Sequence, residues 1–111
     1  MSSLRNRVQL IGNLGQAPEI INLNDGKKLA KFSMATNEKY KNTHGEIITE
    51  TQWHNIVAWG KTVDVIEKYL EKGKEVAVEG KLTNRSYETK EGDKRYITEI
   101  VINELQLLGG K

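Results

Sequence analysis

The chain has 111 residues, 37% hydrophobic and 29% charged, with no cysteine and a formal net charge of +2. That size and balance fit one globular domain over residues 1–111, and they exclude disulfides, thiolate catalysis and cysteine-ligated zinc. The sequence shows no apolar run approaching the roughly 18 residues of a membrane span and no signal-peptide core, so a cytoplasmic protein without a membrane partner is expected; the small positive charge permits an anionic partner without requiring one.

Segments alternating at the period of a strand are bounded by Gly, Asn or Asp clusters that read as turns. The first, about residues 5–15, sets Val8, Leu10 and Leu14 toward one side, and its Gly12-Asn13-Leu14-Gly15 stretch allows bending or a close backbone approach. The second follows the turn-like Asn22-Leu23-Asn24-Asp25-Gly26 and alternates Ala30, Phe32 and Met34 against Lys31, Ser33 and Ala35. The third covers about residues 49–59. The period then changes, with Val63, Ile66, Tyr69 and Leu70 three or four apart. This predicts one short helix with Tyr69 in the core, Thr62 as cap, Asp64 in the first turn and Gly73 beyond the end. A fourth strand, about residues 75–83, alternates Val76, Val78, Gly80 and Leu82. A polar segment turning at Glu91-Gly92-Asp93 leads to the fifth, about residues 95–104, with Tyr96, Thr98, Ile100 and Ile102 on one face. The pattern leaves Tyr96 open between core and surface. Five strands with a helix between the third and fourth predict an all-β OB-fold, a five-stranded Greek-key barrel of the kind whose sheet face and loops bind oligonucleotides.

Motifs that suggest catalysis are incomplete. Gly60-Lys61-Thr62 stands between a strand and a helix, as a phosphate-binding loop would, but the position five residues earlier is Asn55 where that loop needs glycine. An ATP site is not expected. His44 and His54 have no cysteine beside them and no mutual helical spacing, so no metal or other cofactor is expected, and neither falls in a recognisable catalytic triad pattern. Asn84-Arg85-Ser86 matches a glycosylation acceptor, which has no use in a protein that is not secreted.

The aromatic residues point elsewhere. In the third strand Trp53, Asn55, Val57 and Trp59 share one side, and His54, Ile56 and Ala58 share the other. Two tryptophans are ordinarily core residues. Here Ile56 and Ala58 offer an alternative inner side, and Asn55 between the tryptophans would be costly to bury without partners. A solvent-facing row of Trp, Asn and Trp is a candidate platform for stacking nucleobases. Tyr40 lies within Glu38-Lys39-Tyr40-Lys41-Asn42 and Tyr87 within Asn84-Arg85-Ser86-Tyr87-Glu88, both polar and partly basic. Stacking on such rings contributes about 1–3 kcal/mol per base and tolerates any sequence. Lys39, Lys41, Lys61, Lys72, Lys74, Arg85, Lys90, Lys94 and Arg95 are candidate phosphate contacts, with solvated surface charge as the competing reading for each.

Taken together, Val8-Gln9-Leu10-Ile11-Gly12-Asn13-Leu14-Gly15, Pro18-Glu19, Ala35-Thr36-Asn37, Trp53-His54, Tyr69-Leu70-Glu71-Lys72-Gly73, Val78-Glu79-Gly80-Lys81-Leu82 and Tyr96-Ile97-Thr98-Glu99-Ile100-Val101 closely resemble the bacterial single-stranded DNA-binding protein family, in order and over nearly the whole chain. The resemblance implies an OB-fold homotetramer that coats single-stranded DNA during replication, recombination and repair, without a cofactor. Its four stacking positions fall on Tyr40, Trp53, Trp59 and Tyr87. Many members carry tryptophan at the first and fourth, so the tyrosines here offer smaller rings. His54 matches a position at the subunit interface. Members usually continue into a flexible linker and an acidic tip that recruits partner proteins, whereas this sequence ends at Gly109-Gly110-Lys111. That departure puts recruitment of repair and replication proteins in question. The competing reading is an OB-fold accessory subunit acting through protein contacts, which has no need of aromatics along a basic path; a nuclease or ATPase ranks below both.

Overall fold

The computed structural model describes residues 4–108. A short 3-10 turn at Leu4–Asn6 precedes β1 (Val8–Leu14), β2 (Glu19–Asn22), β3 (Lys28–Lys41), β4 (Ile47–Trp59), α1 (Lys61–Tyr69), β5 (Glu75–Glu88) and β6 (Lys94–Leu107). Among the described residues, the strands form one sheet in the order β1-β5-β6-β4-β3-β2. A further antiparallel pairing of β1 with β3, at Asn13↔Ala35 and Leu14↔Met34, closes β1, β5, β6, β4 and β3 into a ring, with β2 attached to β3 outside it. Five strands thus close into the expected OB barrel, with β4 and β6 parallel at Ile56↔Ile100 and the other neighbours antiparallel. The helix lies between the third and fourth barrel strands.

Closure depends on glycine. A Cβ on Gly12 would run into the carbonyl of Ala35 on β3, and one on Gly80 would run into the backbone of Val101 on β6. The β5–β6 register shifts between Glu79 and Gly80, which lets the strand leave the barrel wall and continue outward. Inside the barrel, Ala30, Phe32 and Met34 of β3 meet Ile56 and Ala58 of β4, Val76 and Val78 of β5, and Ile100 and Ile102 of β6. Val63 and Ile66 of the helix, and Leu70 just past its end, join the same cluster. Each large aliphatic buried there contributes roughly 1.5–3 kcal/mol relative to exposure.

Beyond the barrel, two long hairpins project. β3 pairs with β4 as far as Lys41↔Ile47, and β5 with β6 as far as Glu88↔Lys94. Both end in tight loops, as does the β2–β3 hairpin, and each loop sets a glycine (Gly26, Gly45 or Gly92) at φ between 82° and 90°. That is the three-residue connection in which the left-handed residue completes the turn. Asn42 organises the β3–β4 loop, its Oδ1 accepting from the amides of His44 at 2.9 Å and Glu46 at 3.0 Å.

Several expectations need correction. Tyr69 is 52% exposed rather than buried. Helical rotation of about 100° per residue carries it away from Leu70, and the Lys68 ammonium lies 5.6 Å from its ring centre. The N-cap of the helix is Gly60, with φ of 71° and no side-chain cap, so Thr62 does not cap it. Tyr96, left open between core and surface by its pattern, is 73% exposed, and Leu82 is 46% exposed, because their strand segments have already left the barrel. β1 begins only at Val8; ahead of it Asn6 exchanges two hydrogen bonds with the backbone of Leu82, at 2.9 and 3.0 Å, in place of a strand pair.

Candidate nucleic-acid interface

The alternation of β4 decides which side faces solvent. Ile56 and Ala58 are sealed in the core, while Trp53 is 61% and Trp59 47% exposed. On the outer face the register places Ala35 beside Trp53, Ser33 beside Asn55, Lys31 beside Val57 and Leu29 beside Trp59. Two indoles therefore bracket a short polar row, with their strand positions about 20 Å apart at 3.3 Å per residue. Between them lies a shallow pocket of about 280 Å³ lined in part by Lys31, Ser33, Asn55, Val57, Ile97 and Glu99. Val57, though on this outer face, is buried as part of its floor.

Trp53 is held from beneath. A Cβ on Gly15 would come within 2.5 Å of Cζ3 and 2.9 Å of Cη2 of the indole, so the ring lies directly against the glycine backbone. Gly15 is itself fixed, donating to the Ser33 carbonyl at 3.0 Å. Next to it, Leu14 donates to the Lys74 carbonyl at 3.0 Å and accepts from the Gly73 amide at 2.9 Å. Lys72 and Lys74 are thus brought to the end of β1, beside the seat of Trp53. The sequence signalled the close approach at Gly15, but nothing in it named the indole as the partner.

On the second hairpin, Tyr87 stands opposite Arg95 and Arg85 opposite Ile97. They lie on the side away from Ile100 and Ile102, and so on the outer face that carries the tryptophans. Tyr87 is 49% exposed. Lys90 lies in the loop of this hairpin, and Lys94 pairs with Glu88 at its base. Arg85 donates from Nε and Nη2 to the carboxylate of Glu99 at 3.0 and 3.1 Å. Those hydrogen bonds and the carboxylate charge raise the guanidinium further above its ordinary value. Glu99 is a site residue that sequence reasoning missed. Its parity, opposite to Ile100 and Ile102, places it on the outer face, but only the pairing across to Arg85 explains a buried carboxylate there.

Tyr40 takes a different position. It is 48% exposed, but strict alternation from Met34 puts it, with its partner Ile48, on the ribbon face opposite Trp53. Lys39 and Lys41 share the tryptophan face instead. Lys61, at the start of the helix, faces a separate groove of about 920 Å³ with Ile11, Val65 and Ala77. His54 lies at the rim, partly buried, with Nε2 3.0 Å from the Thr36 hydroxyl. Trp53, Trp59, Tyr87, Lys39, Lys41, Lys72, Lys74, Arg85 and Arg95 are thereby gathered on or beside one outer surface; Tyr40, Lys61 and His54 stand off it.

A profile of the single-strand binding protein family matches residues 5–108. The chain belongs to this family. It is 46% identical over 107 residues to single-stranded DNA-binding protein 1 of Chlorobaculum tepidum, covering 96% of this chain and 66% of that protein. It is 42% identical to single-stranded DNA-binding protein 1 of Xylella fastidiosa over 100% of this chain and 82% of that one. The chain thus spans about two thirds of the length of the first and more of the second. Among solved structures, a Plasmodium falciparum SSB complex with ssDNA superposes with a TM-score of 0.89 at 38% identity, over 98% of this chain and 99% of the other. Among the described residues, no helix is long and apolar enough to cross a membrane.

Proposed function

We propose that this chain binds single-stranded DNA without base specificity and protects it during replication, recombination and repair, in the cytoplasm alongside the nucleoid. The observation that carries the reading is the row of open rings. Trp53, Trp59 and Tyr87 are each about half exposed or more on one sheet face, where a globular protein has no packing reason to leave them. Bases stack on such rings irrespective of identity. Lys39, Lys41, Lys72, Lys74, Lys90 and Arg95 supply phosphate contacts around them, and Lys61 and Tyr40 extend the track where the strand wraps off this face. The solved complex with ssDNA of a protein sharing this fold supports the same reading.

The function proposed is binding, with no catalytic step and no cofactor. The chain works as a homotetramer in which His54 lies at the contact between subunits. Tryptophan fluorescence titrated with oligo(dT) at low salt tests the central proposal. Strong quenching is the expected result, and unchanged emission would refute it in favour of a module acting through protein contacts. Light scattering of the chain alone reads the assembly: a mass near four copies is expected, and a monomer at micromolar concentration rejects the tetramer.

A further inference from the structure

Arg85 stands among the cations of the outer face, yet one edge of its guanidinium, Nε and Nη2, is already engaged. Nε reaches Glu99 Oε1 at 3.0 Å and Nη2 reaches Oε2 at 3.1 Å. Glu99 is 6% exposed, while the Arg85 side chain keeps 50% of its surface open. The carboxylate is therefore fixed in the wall of the barrel, and it holds the guanidinium in one plane at the surface. A bidentate pair of this kind offsets the arginine charge as well as orienting it.

Two consequences follow for a strand lying on this face. A phosphate contact gains affinity by releasing counterions, and a cation already matched by a carboxylate has little of that to offer. A planar guanidinium remains a surface on which a base can stack, as it does on aromatic rings. Arg85 also precedes Tyr87 by two residues on the same side of β5, about 7 Å along the strand. Consecutive bases can occupy both.

We propose that the Arg85–Glu99 pair is a stacking surface for a nucleobase, adjoining Tyr87, and that Arg85 is not a phosphate ligand. This rests on the single-stranded DNA-binding reading above. Arg85→Lys keeps the charge and loses the plane; Arg85→Gln loses both. Each is titrated with oligo(dT) over a series of NaCl concentrations, with melting followed by circular dichroism. Both variants are expected to lose about fivefold or more in affinity while keeping the wild-type salt slope. Wild-type affinity in Arg85→Lys, with a slope reduced by about 0.7 in Arg85→Gln, overturns the proposal, because that is the behaviour of a phosphate contact. Glu99→Gln provides a second reading should the arginine variants melt early. Freeing Arg85 from its carboxylate steepens the slope by about 0.7, and an unchanged slope overturns the proposal. A wild-type chain that fails to bind oligo(dT) at all instead removes the underlying function, so the two failures are distinct.

Discussion

The indole of Trp53 lies on the bare backbone of Gly15, in the volume that any side chain at that position would fill. The contact ties the end of β1 to the most exposed of the three aromatic side chains on the outer face. Gly15→Ala should therefore displace the ring without opening the core. We expect weaker oligo(dT) binding, approaching the loss of one stacked base at about 1–3 kcal/mol, with a shifted Trp53 emission in a Trp59→Phe background. In a double-mutant cycle with Trp53→Ala, the glycine substitution should add almost nothing; a full additive loss would mean that Gly15 acts by another route.

Replacing Trp53 itself with Ala should weaken binding more than replacing any one lysine, because a stacked base is lost while the remaining cations persist. Lys72→Ala or Lys74→Ala should instead flatten the dependence of log K on log salt by about 0.7 each. Titrations at several salt concentrations separate the two effects. Equal losses from tryptophan and lysine variants would show that charge, not stacking, governs affinity.

Gly12→Ala bears on the fold. The added methyl meets the Ala35 carbonyl where β1 and β3 close the barrel, and the backbone on both sides is held by strand pairing. Overpacking of that kind costs about 1–3 kcal/mol, more than Ile56→Val in the core at about 0.5–1.5 kcal/mol. Urea denaturation of the two variants gives the comparison; a Gly12→Ala midpoint at or above that of Ile56→Val contradicts it.

Glu79 sets an acid limit. Its carboxyl is held below the ordinary carboxylate value of 4.5, chiefly by the hydrogen bond from Gln9, which outweighs the opposing effect of burial, with Arg7 adding a hydrogen bond and its charge. A carboxylate whose pKa is lower in the folded state stabilises the fold above its unfolded pKa and loses that contribution as pH falls through the folded value. Melting temperatures of wild type and Glu79→Gln should therefore differ most above pH 4.5 and converge below it. A constant difference across that range would show that Glu79 contributes only packing.

Much of the barrel was legible in the chain because its inner residues obey period two: Ala30, Phe32 and Met34, then Ile56 and Ala58, then Val76 and Val78 are all buried as alternation requires. The same rule put Trp53 and Trp59 outside. What escaped were segments whose strand character comes from a partner. β2, only Glu19–Asn22, exists by pairing with the start of β3. The outer halves of β3 and β5 are too polar to announce themselves, so the ribbon face of Tyr40 follows only once β3 is seen to run unbroken from Met34 to Lys41, which licenses counting in twos.

The sequence by itself determined the inner faces, the turns and the unburied tryptophans, since local alternation and glycine chemistry act over a few residues. Only the tertiary structure decided that Gly15 seats Trp53, that Glu99 claims Arg85 and that Tyr69 faces water. Gly15 lies just past the end of β1 and Trp53 lies on β4, and they meet only because both strands flank β3; Arg85 and Glu99 meet only across a hairpin. For Tyr69, the helix's orientation against the barrel selects which of its apolar residues lie within the buried arc.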